Sequence, residues 1–125
     1  MNYKRSKYFL TLNKRKIKYL YIKKNSQITV VFFHGFMSDM MGAKPTAIQK
    51  FCRKQKLNFL KFEYSGHGKS SGEFIKGNIS RWTNDAQKLI KSKFKEKNFI
   101  IIGSSMGAWI GLNLIKIFKK KIRGF

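Results

Sequence analysis

A chain of 125 residues with 42% hydrophobic content holds one domain at most, is long enough to bury a core, and is not a disordered polyelectrolyte. Its single cysteine, Cys52, excludes an internal disulfide and a cysteine-based metal cluster. The formal net charge of +23 would suit nucleic acid or an anionic membrane, but the basic residues are spread along the whole chain, lysine heavily outnumbers arginine, and alanine and proline are scarce. That pattern reads as compositional bias. It predicts nonspecific adhesion to anions at low salt and no specific nucleic-acid partner.

Tyr8–Leu12 and Ile17–Ile22 are short β-type runs separated by Asn13-Lys14-Arg15-Lys16, the pattern of a hairpin. The basic start is not followed by an apolar signal segment, which leaves the cytoplasm as the default location. Ile28–Phe33 is a nearly continuous apolar run, as expected of a strand covered on both faces. It ends at His34-Gly35-Phe36, and a loop reaches to Lys44. Pro45 suits a first helical turn, and Ala47, Ile48, Phe51 and Cys52 carry helical periodicity to about Lys56. Cys52 on that stripe reads as a buried structural thiol. Asn58–Tyr64 is a further strand, and Ser65–Gly72 is a Gly/Ser-rich loop. Trp82, Ala86, Leu89, Ile90 and Phe94 recur at three and four residues, so Ser80–Lys95 is an amphipathic helix. Asn98–Ile102 is a strand, Ala108–Lys119 a helix, and Ile122–Phe125 the beginning of another strand.

A hairpin followed by β-α-β-α-β-α predicts an α/β fold: a mostly parallel sheet, an N-terminal antiparallel hairpin, and helices on both faces, in one unit over residues 1–125. Such sheets carry their sites at the carboxyl ends of the strands, where His34, the Ser65–Gly72 loop and Ser105 all fall. Gly103-Ser104-Ser105-Met106-Gly107 reads G-x-S-x-G between a strand and a helix, the setting that pushes a serine hydroxyl out above a sheet. The twenty residues after Ser105 contain no Asp, Glu or His. The chain's histidines are His34 and His67, and its carboxylates are Asp39, Glu63, Glu73, Asp85 and Glu96.

His34-Gly35-Phe36, Phe62-Glu63-Tyr64-Ser65-Gly66-His67-Gly68-Lys69-Ser70 and Gly103–Gly107, in this order, resemble the N-terminal half of an α/β-hydrolase. Met37–Lys44, the Ala47–Cys52 helix, and Trp82 with Asp85 are similar to the subgroup of the palmitoyl-protein thioesterase and acyl-glucuronide esterase. Glu63 departs from the Asp usual at its position. The resemblance implies an α/β-hydrolase fold that stops after the nucleophile helix, and hydrolysis of a small acyl ester or thioester without cofactor or metal. Ser105 would be the nucleophile, and the Phe36 and Met106 backbone N–H groups would form the oxyanion hole. His34, Gly35 and Ser104 would line the substrate site, with His34 in a structural role. Without the triad acid and histidine, the chain is expected to be nearly inert by itself.

Three other readings compete. Phe99–Phe118 carries one charge, Lys116, and glycines at every fourth position, which would suit a membrane helix; the strand and loop motifs around it argue against a transmembrane segment. Gly66-x-Gly68-x-x-x-Gly72 lacks the spacing of a phosphate loop. A non-catalytic binding module or remnant, adhering to nucleic acid or membrane through its basic surface, is the alternative to an enzyme. Asp85 is expected at the surface or in a capping role.

Overall fold

Side chains alternate across a strand, so a run that is apolar throughout needs a layer on each face. Strand β3 (Ile28–Phe33) meets this condition. Val30 and Phe32 point to one side and pack with Cys52 and with Phe59 of β4 (Asn58–Phe62). Val31 and Phe33 point to the other, together with Leu60 and Phe62, into the larger core of Leu89, Ile90, Ile101, Ile110 and Leu114. The computed structural model of the protein describes residues 6–11, 14–94 and 98–125.

Six strands form one sheet in the order β1-β2-β4-β3-β5-β6. β1 (Lys7–Leu10) and β2 (Lys16–Ile22) make the expected antiparallel hairpin, and β2 pairs antiparallel with β4. Leu12 and Asn13 of the expected hairpin lie outside the described residues. β3, β4, β5 (Asn98–Gly103) and β6 (Ile122–Gly124) run parallel. Helix α1 (Ala43–Lys54) covers one face; α2 (Ile79–Lys93) and α3 (Met106–Phe118) cover the other.

The element reading from the sequence holds with shifted ends. α1 begins before Pro45, which occupies its first turn. β4 ends at Phe62; the Glu63 N–H still donates to the Lys18 carbonyl of β2 at 3.0 Å, while the Glu63 carboxylate and the Tyr64 hydroxyl bind neighbouring loops. α2 begins one residue early because Asn78 caps it, accepting the Arg81 N–H at 2.8 Å. Lys95 of the expected helix is not among the described residues. The Phe99–Phe118 run divides into β5 and α3, and among the described residues no helix is long and apolar enough to cross a membrane. Cys52 is buried as read, with burial raising its thiol pKa to about 11, whereas Phe51 beside it is exposed.

Candidate active site

β3 and β5 are parallel neighbours with Phe33 beside Gly103, so the chain leaves both strands at the same edge of the sheet. The two exits touch: a Cβ built on Gly35 would lie 3.3 Å from the Ser104 carbonyl oxygen and 3.6 Å from the Ser105 Cβ. Ser104 N–H donates to the Phe33 carbonyl at 3.1 Å. Gly107 permits this closeness, since any Cβ there would strike the carbonyl oxygens of Phe33 and His34.

Ser105 stands at the bend. Its φ of 54° and ψ of −120° are sparsely populated by non-glycine residues, and such strain persists only where the surroundings over-determine it. It is the N-cap of α3, yet its side chain does not cap the helix, and the residue is exposed. Met106 is the first residue of α3, so its N–H has no acceptor within the helix. Among the described residues neither the Met106 nor the Phe36 N–H donates to a protein acceptor. The Phe36 ring packs edge-on against Phe74 at 5.1 Å.

Two clefts of contrasting chemistry meet at Ser105. One, of about 410 Å³, is lined by His34, Gly35, Asp39, Lys44 and Ser104 together with Phe36. The other, of about 580 Å³, is walled by Phe36, Ile79, Trp82, Met106 and Trp109. The candidate residues Ser105, Phe36, Met106, His34, Gly35 and Ser104 are therefore all gathered at these clefts.

The histidines are held by the fold. His34 is 1% exposed, and both ring nitrogens are engaged: Nδ1 lies 2.8 Å from the Gly35 carbonyl and Nε2 3.4 Å from the Tyr64 N–H. These partners fit a neutral ring protonated on Nδ1. Burial lowers its pKa to about 4, against the smaller raising effect of the Gly35 carbonyl. The Tyr64 hydroxyl donates to the His34 carbonyl at 2.9 Å, which ties the ends of β3 and β4 together. His67 is also buried, with Nδ1 3.2 Å from the Ser65 carbonyl and its ring packed on Trp82 at 4.9 Å. Burial lowers its pKa too. Neither imidazole is hydrogen-bonded to Ser105 among the described residues.

Two carboxylates have structural duties that the sequence reading did not assign. Asp85 is fully buried, not at the surface: Oδ1 pairs with Arg15 Nη2 at 2.8 Å, and Oδ2 accepts the Ser65 N–H at 3.0 Å. The signal was present, because position 85 lies between Trp82 and Leu89 on the apolar stripe of α2. Glu63 is 1% exposed and accepts the N–H groups of Met40 (3.2 Å) and Lys69 (2.8 Å). Its carboxylate occupies the hollow of the glycine-rich loop, and a Cβ on Gly68 (φ 53°) would strike it. The loop thus folds around an internal anion. Glu73 pairs with Lys76 at the surface, and Glu96 lies outside the described residues. No group of His, Cys, Asp and Glu among the described residues could hold a metal ion.

Comparison with known proteins agrees with the fold. The family model described as serine aminopeptidase, S33, matches residues 24–125. The mitochondrial palmitoyl-protein thioesterase ABHD10 of Rattus norvegicus is 33% identical over 84 residues, which are 67% of this chain and 28% of the relative. The solved structure of mouse alpha/beta hydrolase domain-containing protein 10 superposes with a TM-score of 0.87 at 25% identity, over 94% of this chain and 46% of that one. An esterase from Pyrococcus furiosus superposes with a TM-score of 0.77 at 25% identity, over 96% of this chain and 49% of that one. The chain thus spans between a quarter and a half of the length of these proteins. The chain has the α/β-hydrolase fold and belongs to the serine aminopeptidase S33 family of hydrolases.

Proposed function

We propose that this chain carries the nucleophile and oxyanion hole of a serine hydrolase acting on acyl esters or thioesters. The observation that carries the reading is Ser105: an exposed hydroxyl on a strained bend, left uncapped at a helix N-terminus, where two clefts meet. Ser105 Oγ attacks the acyl carbonyl; a C–O bond forms and the carbonyl π pair moves onto oxygen. The Phe36 and Met106 N–H groups receive that oxyanion, and the N-terminal end of α3 adds its dipole. Collapse of the intermediate breaks the bond to the alcohol or thiol, which takes up a proton as it leaves. Water then cleaves the acyl-serine.

The Ser105 proton needs an acceptor. His34 does not suit, because both its nitrogens bond the backbone. Turnover by this chain by itself is therefore expected to be slow, with oxyanion stabilisation sustaining a residual ~10³–10⁴ over water. The apolar cleft of Ile79, Trp82 and Trp109 suits an acyl chain. The relatives named as a palmitoyl-protein thioesterase and an esterase support acyl substrates of this class.

A fluorophosphonate probe tests the reading. The expected result is a single covalent adduct on Ser105 that disappears in Ser105→Ala. Folded protein that stays unlabelled at millimolar probe overturns it and leaves the non-catalytic basic module as the better account.

A further inference from the structure

The 410 Å³ cleft, of mixed polar and apolar lining, has a positive charge that the mechanism leaves unused. Lys44, in the first turn of α1, reaches across to the elbow, and its Nζ donates to Ser104 Oγ at 3.1 Å. It lines the 410 Å³ cleft and a second hollow formed with Ile102, Gly103, Ser104 and Ser105. Its contact is a neutral hydroxyl; among the described residues no carboxylate lies within 4.0 Å of it, the ion pairs there being Arg15–Asp85 and Lys76–Glu73. Asp39 shares the wall, but its Oδ1 already accepts the Met41 N–H at 2.8 Å. No acidic residue occupies the first turn of α1, and Gly42 at its N-cap offers no side chain. The wall facing Ser105 therefore bears an ammonium without a directly paired carboxylate, with the Asp39 carboxylate elsewhere in the same cleft, while the opposite cleft is aromatic and apolar.

We propose that Lys44 is a specificity residue that reads an anionic group, carboxylate or phosphate, on the leaving-group side of the substrate. This inference rests on the Ser105 reading above. An acyl chain in the Trp82/Trp109 cleft places the scissile carbonyl at Ser105 and directs the alcohol or thiol portion towards Lys44. There a negative substituent accepts an N–H of the Lys44 ammonium, and this bond between opposite charges is stronger than the ammonium's bond to the neutral Ser104 hydroxyl.

The experiment uses matched alkyl aryl phosphonates whose aryl leaving group carries a carboxamide, a carboxylate or a phosphate. Ser105 Oγ forms the P–O bond, the aryl oxide departs with the electron pair, and the hydroxyl proton passes to solvent. The readout is the ratio of anionic-probe to neutral-probe labelling rates at physiological salt. The expected ratio is about tenfold higher in the wild type and Lys44→Arg than in Lys44→Gln, with further loss in Lys44→Glu. Lys50→Gln, an exposed lysine on the same helix, is the control for bulk charge and keeps the wild-type ratio. An equal ratio in Lys44→Gln and wild type, or equal losses at Lys44 and Lys50, overturns the assignment while leaving Ser105 as the nucleophile. Absence of labelling by all three probes overturns both readings together.

Discussion

Two loops at the carboxyl edge of the sheet handle their polar groups in opposite ways. In the Glu63–Gly72 loop the Glu63 carboxylate, the Ser65 N–H and carbonyl, and the Ser70 hydroxyl are all paired and buried, with His67 Nε2 the buried side-chain atom there that has no partner. In the Gly103–Gly107 elbow the hydroxyl is exposed, the backbone is strained, and the first N–H of α3 is unspent. The paired loop resists movement because displacing these groups would leave buried polar atoms without partners. The elbow keeps its polar groups available, and α3 and β3 hold it in its strained form. The contrast separates a buried, hydrogen-bonded scaffold from an exposed, strained turn on one edge of the sheet.

Removing a partner from the paired loop should have the largest effect. Asp85→Ala leaves Arg15 charged and largely buried and strips the Ser65 N–H, with an expected loss of about 3–5 kcal/mol in urea unfolding. A loss below about 1 kcal/mol would show that this loop is not the scaffold. Gly107→Ala tests the clamp on the elbow. Its Cβ would collide with the Phe33 and His34 carbonyl oxygens, and pushing α3 off β3 should cost about 3 kcal/mol and slow phosphonate labelling of Ser105.

A smaller effect should follow from pH. The folded pKa of His34 is about 4, below its ordinary 6.5, so the unfolded chain binds more protons between these values and stability falls as pH falls. From pH 7 to pH 5 this group should remove about 2 kcal/mol, and the slope of unfolding free energy against pH should flatten in His34→Gln. The smallest effect should have the opposite sign. Ser105→Gly relieves the positive φ and should raise stability by about 1 kcal/mol while abolishing labelling. If it destabilises instead, the elbow is not strained and the comparison of the two loops fails.

Exposed apolar residues mark a further difference across the molecule. Trp109 and Leu112 of α3 are exposed at 59% and 51%, while Ile110 and Leu114 of the same helix are buried. One face of α3 packs on the sheet, and the other lies open beside the Ser105 clefts.

The amino-acid sequence by itself determined the order of elements and the position of the elbow. Both depend on local chemistry: the period-two and period-3.6 apolar patterns, and the glycines around Ser105 that a tight strand-to-helix turn requires. The apolar run Ile28–Phe33 likewise announced a strand covered on both faces. Tertiary structure alone decided which polar residues are spent and which remain free. Asp85 finds Arg15 across seventy positions of sequence, and Glu63 turns inward to fill the glycine-rich loop. Lys44 reaches Ser104 only because the β3–α1 connection brings the start of α1 to the carboxyl edge where β5 also ends. A charged side chain's role depends on which long-range partner desolvates or neutralises it, and no local pattern encodes that partner.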